Sequence, residues 1–195
     1  MTQTQRLDSP TDQRILLRGT WDQFKLMQQT SADSRGLRFA FYQGEIELFM
    51  PGLQHERFSE IIGYFVMTFL LSRGIEFVPS GSVTQEKAGE VSAQADKSYC
   101  IGSAKAIPDL SIEVIFTSEA KKLSRYQALG VPEVWFWQDG SLALHHLREH
   151  GYERVERSEL VGLNQLDVEL PRRCILMAET DFAGAVQAFQ QTICN

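Results

Sequence analysis

Apolar residues along this chain recur with two periods, and the switches between them mark out the elements. Over residues 55–72, Phe58, Ile61, Ile62, Phe65, Val66, Phe69 and Leu70 stand three and four positions apart, which predicts a helix with one deeply buried face and Gly74 as its stop. A shorter helix is predicted over 21–31, capped by Thr20, with Trp21, Phe24 and Leu26 or Met27 turned inward. Residues 37–49 alternate apolar and polar about Gln43-Gly44, the pattern of a β-hairpin, which Pro51-Gly52 ends. Strands follow over 75–80, 95–102 and 106–116, then a helix over 118–130 with Leu123, Tyr126 and Leu129 inward and Gly130 at a left-handed C-cap. A second hairpin over 133–147 turns at Asp139-Gly140, a strand over 151–157 extends it, and Asp181 caps a last amphipathic helix carrying Phe182, Ala185, Val186 and Phe189. The order is hairpin, long helix, three strands, helix, strands, helix: a mixed α+β fold. Residues 1–12 and 87–94 read as loosely held.

Composition narrows this further. With 195 residues, 43% of them hydrophobic, the expectation is one domain over 1–195 with residues 1–15 flexible. The polar opening resembles no signal or transit segment, and no apolar run reaches the length of a membrane helix. Cys100, Cys174 and Cys194 are odd in number and widely spaced, which argues against a disulfide framework or a structural zinc site and makes the reducing cytoplasm the expected location. A net charge of -6 disfavours bulk electrostatic binding of nucleic acid, although an acidic protein still acts on phosphodiesters when a divalent cation bridges its carboxylates to the substrate.

That exception matters because of the stretch PDLSIEV. Side chains alternate across a strand, so Asp109, Ser111, Glu113 and Ile115 share one face while Leu110, Ile112, Val114 and Phe116 share the other. In the preceding strand Asp96, Ser98 and Cys100 share a face, and the short connection over 102–106 lets the two strands pair antiparallel, turning Asp96 towards the acid-bearing face. Acids gathered at the edge of a core repel one another and lose hydration unless something positive is held among them. Mg²⁺ suits such oxygen ligands, and Lys122 on the next helix is placed to orient an attacking water. In the plainer alternative each acid serves the structure separately, Asp109 by capping a turn and Glu113 by pairing with Lys121 or Lys122.

The residues GSVT (81–84), ADKSYCI (95–101), PDLSIEV (108–114) and KLSRYQALGVPEVWFW (122–137), with QHERFSEIIG on the long helix, resemble the Uma-two family, also called domain of unknown function 820, of the restriction-endonuclease-like PD-(D/E)xK superfamily. The resemblance spans about 37–147. It implies a mixed sheet flanked by helices, with Asp96 as the strand acid, Glu113 as the acid of the second motif, Asp109 as a family-specific third acid, and Mg²⁺ (or Mn²⁺) between them. Ala95 stands where a proline usually precedes the first acid. Ile115 stands where the second motif would have its lysine, and Lys122, or less well Lys121, takes that place from the following helix. Glu60 resembles an auxiliary helix acid, with a solvated helix face as the alternative.

Other candidates add little. A capping role is expected for His55, His145 and His146 point to opposite faces of one strand, and Trp135, Phe136 and Trp137 read as core and interface. The expected function is a Mg²⁺-dependent endonuclease hydrolysing phosphodiester bonds, with DNA, bound weakly and in a salt-sensitive way, implied by the resemblance alone. The alternative is a catalytically inactive module on the same fold, forming a homodimer through the aromatic hairpin or binding another protein.

Overall fold

The computed structural model describes residues 11–34, 36–115 and 120–194. Eleven strands form two sheets. The first runs β1 (Gln13–Arg18), β3 (Glu45–Met50), β2 (Arg38–Tyr42), β6 (Val91–Gln94), β5 (Thr84–Lys87) in spatial order. The second runs β11 (Gly151–Val155), β10 (Ser141–Arg148), β9 (Glu133–Gln138), β8 (Leu110–Val114), β7 (Lys97–Ile101), β4 (Phe77–Pro79). Five helices flank them: α1 (Trp21–Thr30), α2 (Leu53–Ser72), α3 (Ala120–Leu129), α4 (Glu169–Ala178) and α5 (Phe182–Ile193). This is the mixed α+β class expected, a mixed sheet flanked by helices with an N-terminal β-hairpin, which β1, β6 and β5 widen into a second sheet. No helix among the described residues is long and apolar enough to cross a membrane.

Local chemistry accounts for the elements. Thr20 and Gln23 close a capping box at the start of α1. Both hairpins turn on a left-handed pair, Gln43 and Gly44 (φ 48° and 72°) and Asp139 and Gly140 (φ 49° and 75°), the geometry that matches the twist of the flanking strands. Gly130 ends α3 at φ 83°, its amide bonded back to the Tyr126 carbonyl at 2.9 Å. The 87–94 segment is a correction: Thr84–Lys87 and Val91–Gln94 pair as a hairpin, and Gln85, Val91, Ser92 and Ala93 are buried despite the polar sequence around them. The tail of the 106–116 strand and the head of the 118–130 helix lie outside the described residues, as does most of the polar opening.

The second sheet is covered on both faces, and this positions the site. On one face α2, α4 and α5 pack Phe65, Val66, Phe69, Ile175 and Phe189 against Tyr99, Leu110, Ile112, Val114, Trp135 and Trp137. On the other, Tyr126 and Leu129 of α3 and Val91 and Ala93 of β6 pack on Val134 and Phe136. The face of β8 expected to open on a cleft is therefore buried as well: all five of its residues are inside. Its acid looks into a seam between the two sheets and α3. The aromatic trio of β9 is wholly core, so that hairpin presents no aromatic surface to a partner.

Candidate active site

Strand pairing brings the two acids together. β7 pairs antiparallel with β8, Lys97 opposite Ile112 and Ser98 opposite Ser111. Asp96 stands in the bend just before β7, where its amide donates to the Ile112 carbonyl at 3.1 Å, one residue out of that register. The Val114 amide then donates to Asp96 Oδ2 at 2.6 Å.

Cations surround both carboxylates. Asp96 Oδ1 accepts from Arg38 of β2 and from His55 Nε2 of α2, the latter at 2.8 Å. The other ring nitrogen of His55, Nδ1, faces Asp12 Oδ2 at 2.9 Å, and Asp12 also accepts from the Gly52 amide at 2.8 Å. With a carboxylate on each side, both ring nitrogens donate and His55 is an imidazolium. Burial works against that charge, but the hydrogen bonds to Asp12 and Asp96 outweigh it and lift the His55 pKa to about 9. Burial would likewise raise Asp96, yet His55, Lys122 and Arg38 together hold it well below the usual carboxylate range.

Glu113 stands in different surroundings. Lys122 Nζ of α3 donates to its Oε2 at 2.5 Å and the Tyr126 hydroxyl to its Oε1. Burial, reinforced by the Asp96 charge, pushes the Glu113 pKa up even against the lysine. Glu113 is thus the acid that takes a proton first, and Asp96 the one that stays ionised. The Lys122 ammonium is buried, lying 5.6 Å over the Phe49 ring. Beside it, Arg125 of α3 pairs with Glu47 of β3, which Arg14 also reaches at 2.9 Å. Arg38, Glu47, Phe49, Glu113, Lys122 and Arg125 line a hollow of about 30 Å³, enough for one or two waters.

A divalent cation is tested by the acceptors left over. A carboxylate offers about four lone-pair positions. Asp96 has three donors on it and Glu113 two, so both keep capacity towards a shared ion. Two carboxylates with water and phosphate oxygens are the donor set Mg²⁺ takes. The residues therefore fit the ion, in competition with Lys122, Arg38 and His55. Among the described residues no group of three or more His, Cys, Asp or Glu is arranged to hold a metal.

The comparisons with known proteins agree with this architecture. The sequence profile of the Uma2 family, described as "Putative restriction endonuclease", matches residues 21–175. The chain belongs to the Uma2 family. Its fold is similar to the crystal structure of a DUF820 protein from Anabaena variabilis, described there as a putative nuclease, with a TM-score of 0.54 at 13% identity over 70% of this chain and 90% of that one. No curated protein matches the chain.

On this Uma2 fold the other sequence candidates stand apart. Asp109 lies four residues before Glu113, about 13 Å along an extended strand. It is held by Lys105 at 2.6 Å and by the Ile101 amide at 2.7 Å, a strand-end anchor that never reaches the acid pair. Glu60 is exposed on the opposite side of the sheet, salt-bridged to Lys97 at 2.6 Å, because Lys97 and Asp96 are neighbours and point to opposite faces. Lys121 reaches outward to Glu45 at 3.1 Å, whereas Lys122 reaches Glu113. His55 lies inside α2 as its third residue and does not cap it.

Arg38 and Glu47 were missed by sequence reasoning, although a signal existed. In the hairpin 37–49, Phe39, Phe41 and Ile46 share the face packed on α1, so alternation sends Arg38, Glu45 and Glu47 to the other. Charges on the second face of a well-formed hairpin imply a polar seam beneath it.

Proposed function

We propose that this Uma2 protein is a Mg²⁺-dependent endonuclease that hydrolyses phosphodiester bonds of DNA, with Asp96 and Glu113 as metal ligands and Lys122 as the catalytic cation. The observation that carries the reading is the juxtaposition, in one buried seam, of two neighbouring carboxylates and an ammonium from the next helix. When bound there, the ion would polarise a phosphoryl oxygen and lower the pKa of a coordinated water. Asp96 is kept ionised at neutral pH, as a hard cation requires of its ligand. Lys122 Nζ, shielded by the Phe49 ring, orients a water beside Glu113 and offsets negative charge developing on the phosphoryl oxygens. Tyr126 fixes the other Glu113 oxygen, so the carboxylate keeps its direction when the lysine turns to substrate.

Plasmid nicking in Mg²⁺ or Mn²⁺ tests this. Wild-type protein should convert supercoiled DNA to nicked circles, and Asp96→Asn, Glu113→Gln and Lys122→Met should each fail to.

A second reading, an inactive module on the same fold, draws on one observation: Arg38 and His55 already neutralise Asp96, and Lys122 already neutralises Glu113. On that reading the ion pairs are the final structure and added metal leaves the protein unchanged. Thermal unfolding with and without Mn²⁺ separates the two, since only a bound ion raises the midpoint.

A further inference from the structure

Beside the acid seam lies a second hollow, of about 220 Å³, between the first sheet and the start of α3. Its walls follow from strand register. β1 sets Arg18 opposite Glu45 of β3, and β2 sets Tyr42 opposite the same Glu45, so the three form one row on the sheet face turned to α3. The next row on that face is Leu16, Glu47 and Ala40, of which Glu47 and Ala40 line the acid seam. From α3, Lys121, Ser124 and Arg125 close the second hollow, and Arg125 lines both.

Among the described residues that line this hollow, three cations, Arg18, Lys121 and Arg125, face one acid, Glu45, in a chain whose net charge is -6. Glu45 is shared between Lys121 at 3.1 Å and Arg125 at 3.8 Å. Arg125 is buried and held by Glu47, so its position is fixed. Arg18 is exposed and makes no ion pair among the described residues, and the Lys121 side chain is 64% exposed. An anion with several acceptor oxygens would meet all three, with Glu45 keeping Lys121 and Arg125 aligned.

Spacing decides what kind of anion. Glu45 and Glu47 are two residues apart on β3, about 7 Å. The rows of the first sheet that line the two hollows are therefore one such step apart, comparable to the step between neighbouring phosphates of a polynucleotide. We infer that Arg18, Lys121 and Arg125 form a subsite for the phosphate adjoining the scissile one on the same strand. A single isolated phosphodiester meets only the acid seam, from its mouth; a polynucleotide meets both sites, and the protein is built for the polymer. This inference rests on the nuclease reading and deepens it.

The test compares wild type with Arg18→Gln/Lys121→Gln, two exposed positions whose fold is checked by thermal unfolding. Three readouts are taken: cleavage of a fluorescein-labelled DNA oligonucleotide, hydrolysis of bis-p-nitrophenyl phosphate, and oligonucleotide binding by anisotropy in EDTA across a salt series. Losing two charge-assisted contacts should weaken oligonucleotide binding by about tenfold or more and lower the salt slope by about one to two. The loss in kcat/KM on the oligonucleotide should exceed the loss on the small diester by about the same factor. Equal losses on both substrates, or an unchanged salt slope, overturn the subsite while leaving the nuclease reading standing. If wild type cleaves neither substrate, the nuclease reading fails instead. Anisotropy then decides the subsite: salt-dependent binding that the double variant loses supports it, and absent or unaltered binding overturns it.

Discussion

Asp96 stands beside Glu113 at the edge of the β7–β8 pairing: its own amide donates to the Ile112 carbonyl at 3.1 Å, and the amide that follows Glu113 donates to Asp96 Oδ2 at 2.6 Å. The two acids are thus locked by backbone, but their surroundings differ. Arg38 and His55 hold Asp96 ionised, while burial and its neighbour's charge push Glu113 towards the protonated form. Site chemistry follows from that asymmetry.

On the proposed function Lys122 competes with a metal for Glu113 and also serves the reaction, so its removal should separate binding from rate. Lys122→Met is expected to keep or tighten Mn²⁺ affinity in a calorimetric titration. Its cleavage rate should fall by about 10² or more. Loss of metal affinity along with activity would assign the lysine to the architecture of the site alone.

Asp109 ties the start of β8 to the Ile101 amide and Lys105. Asp109→Ala strands a partly buried amide and should destabilise the protein by about 1–3 kcal/mol in urea unfolding. Mn²⁺ affinity should match wild type, because Asp109 lies about 13 Å along the strand from Glu113. Weakened metal binding would restore Asp109 to the ligand set.

His55 gives a sign for the pH dependence of stability. Its folded pKa, about 9, lies above the ordinary 6.5, so its contribution is complete below pH 6.5 and drains away as pH rises through 9. The contribution is about 3 kcal/mol at most. Wild type should lose urea stability across that window, and His55→Gln, less stable at pH 6, should show a flatter profile. A wild-type curve that rises between pH 6.5 and 9 would contradict the imidazolium clamped between Asp12 and Asp96.

Much of the fold is written in local pattern. The stripe from Phe58 to Leu70, the two left-handed turn pairs and Gly130 each carry their instruction within a few residues, and the elements there match. Elsewhere the signal is masked. Val91–Gln94 is short and follows a run of charge, so its burial against Tyr126 is a tertiary fact. α4 carries Leu170, Cys174, Ile175 and Ala178 on a buried face, but Pro171 reads as a breaker. In the first turn of a helix a proline costs no hydrogen bond.

The site divides along similar lines. Alternation and a short connection sufficed to draw Asp96 to Glu113, and the helix that follows sufficed to bring Lys122 to them. What alternation could not tell was that Asp109 lies one strand-length too far, or that Glu60, on the helix over the opposite face, is separated from the pair by the sheet itself. Arg38 and His55 reach Asp96 from β2 and α2, Asp12 holds the other side of His55 from the segment before β1, and only assembly of the two sheets with α2 makes them neighbours.

The claim on which the account turns is that Asp96 and Glu113 together hold one divalent cation. Isothermal titration of the protein with Mn²⁺ at neutral pH measures it most directly. The account predicts a single saturable site in wild type that Asp96→Asn and Glu113→Gln each abolish. A titration without heat, or one that either variant leaves intact, would contradict it.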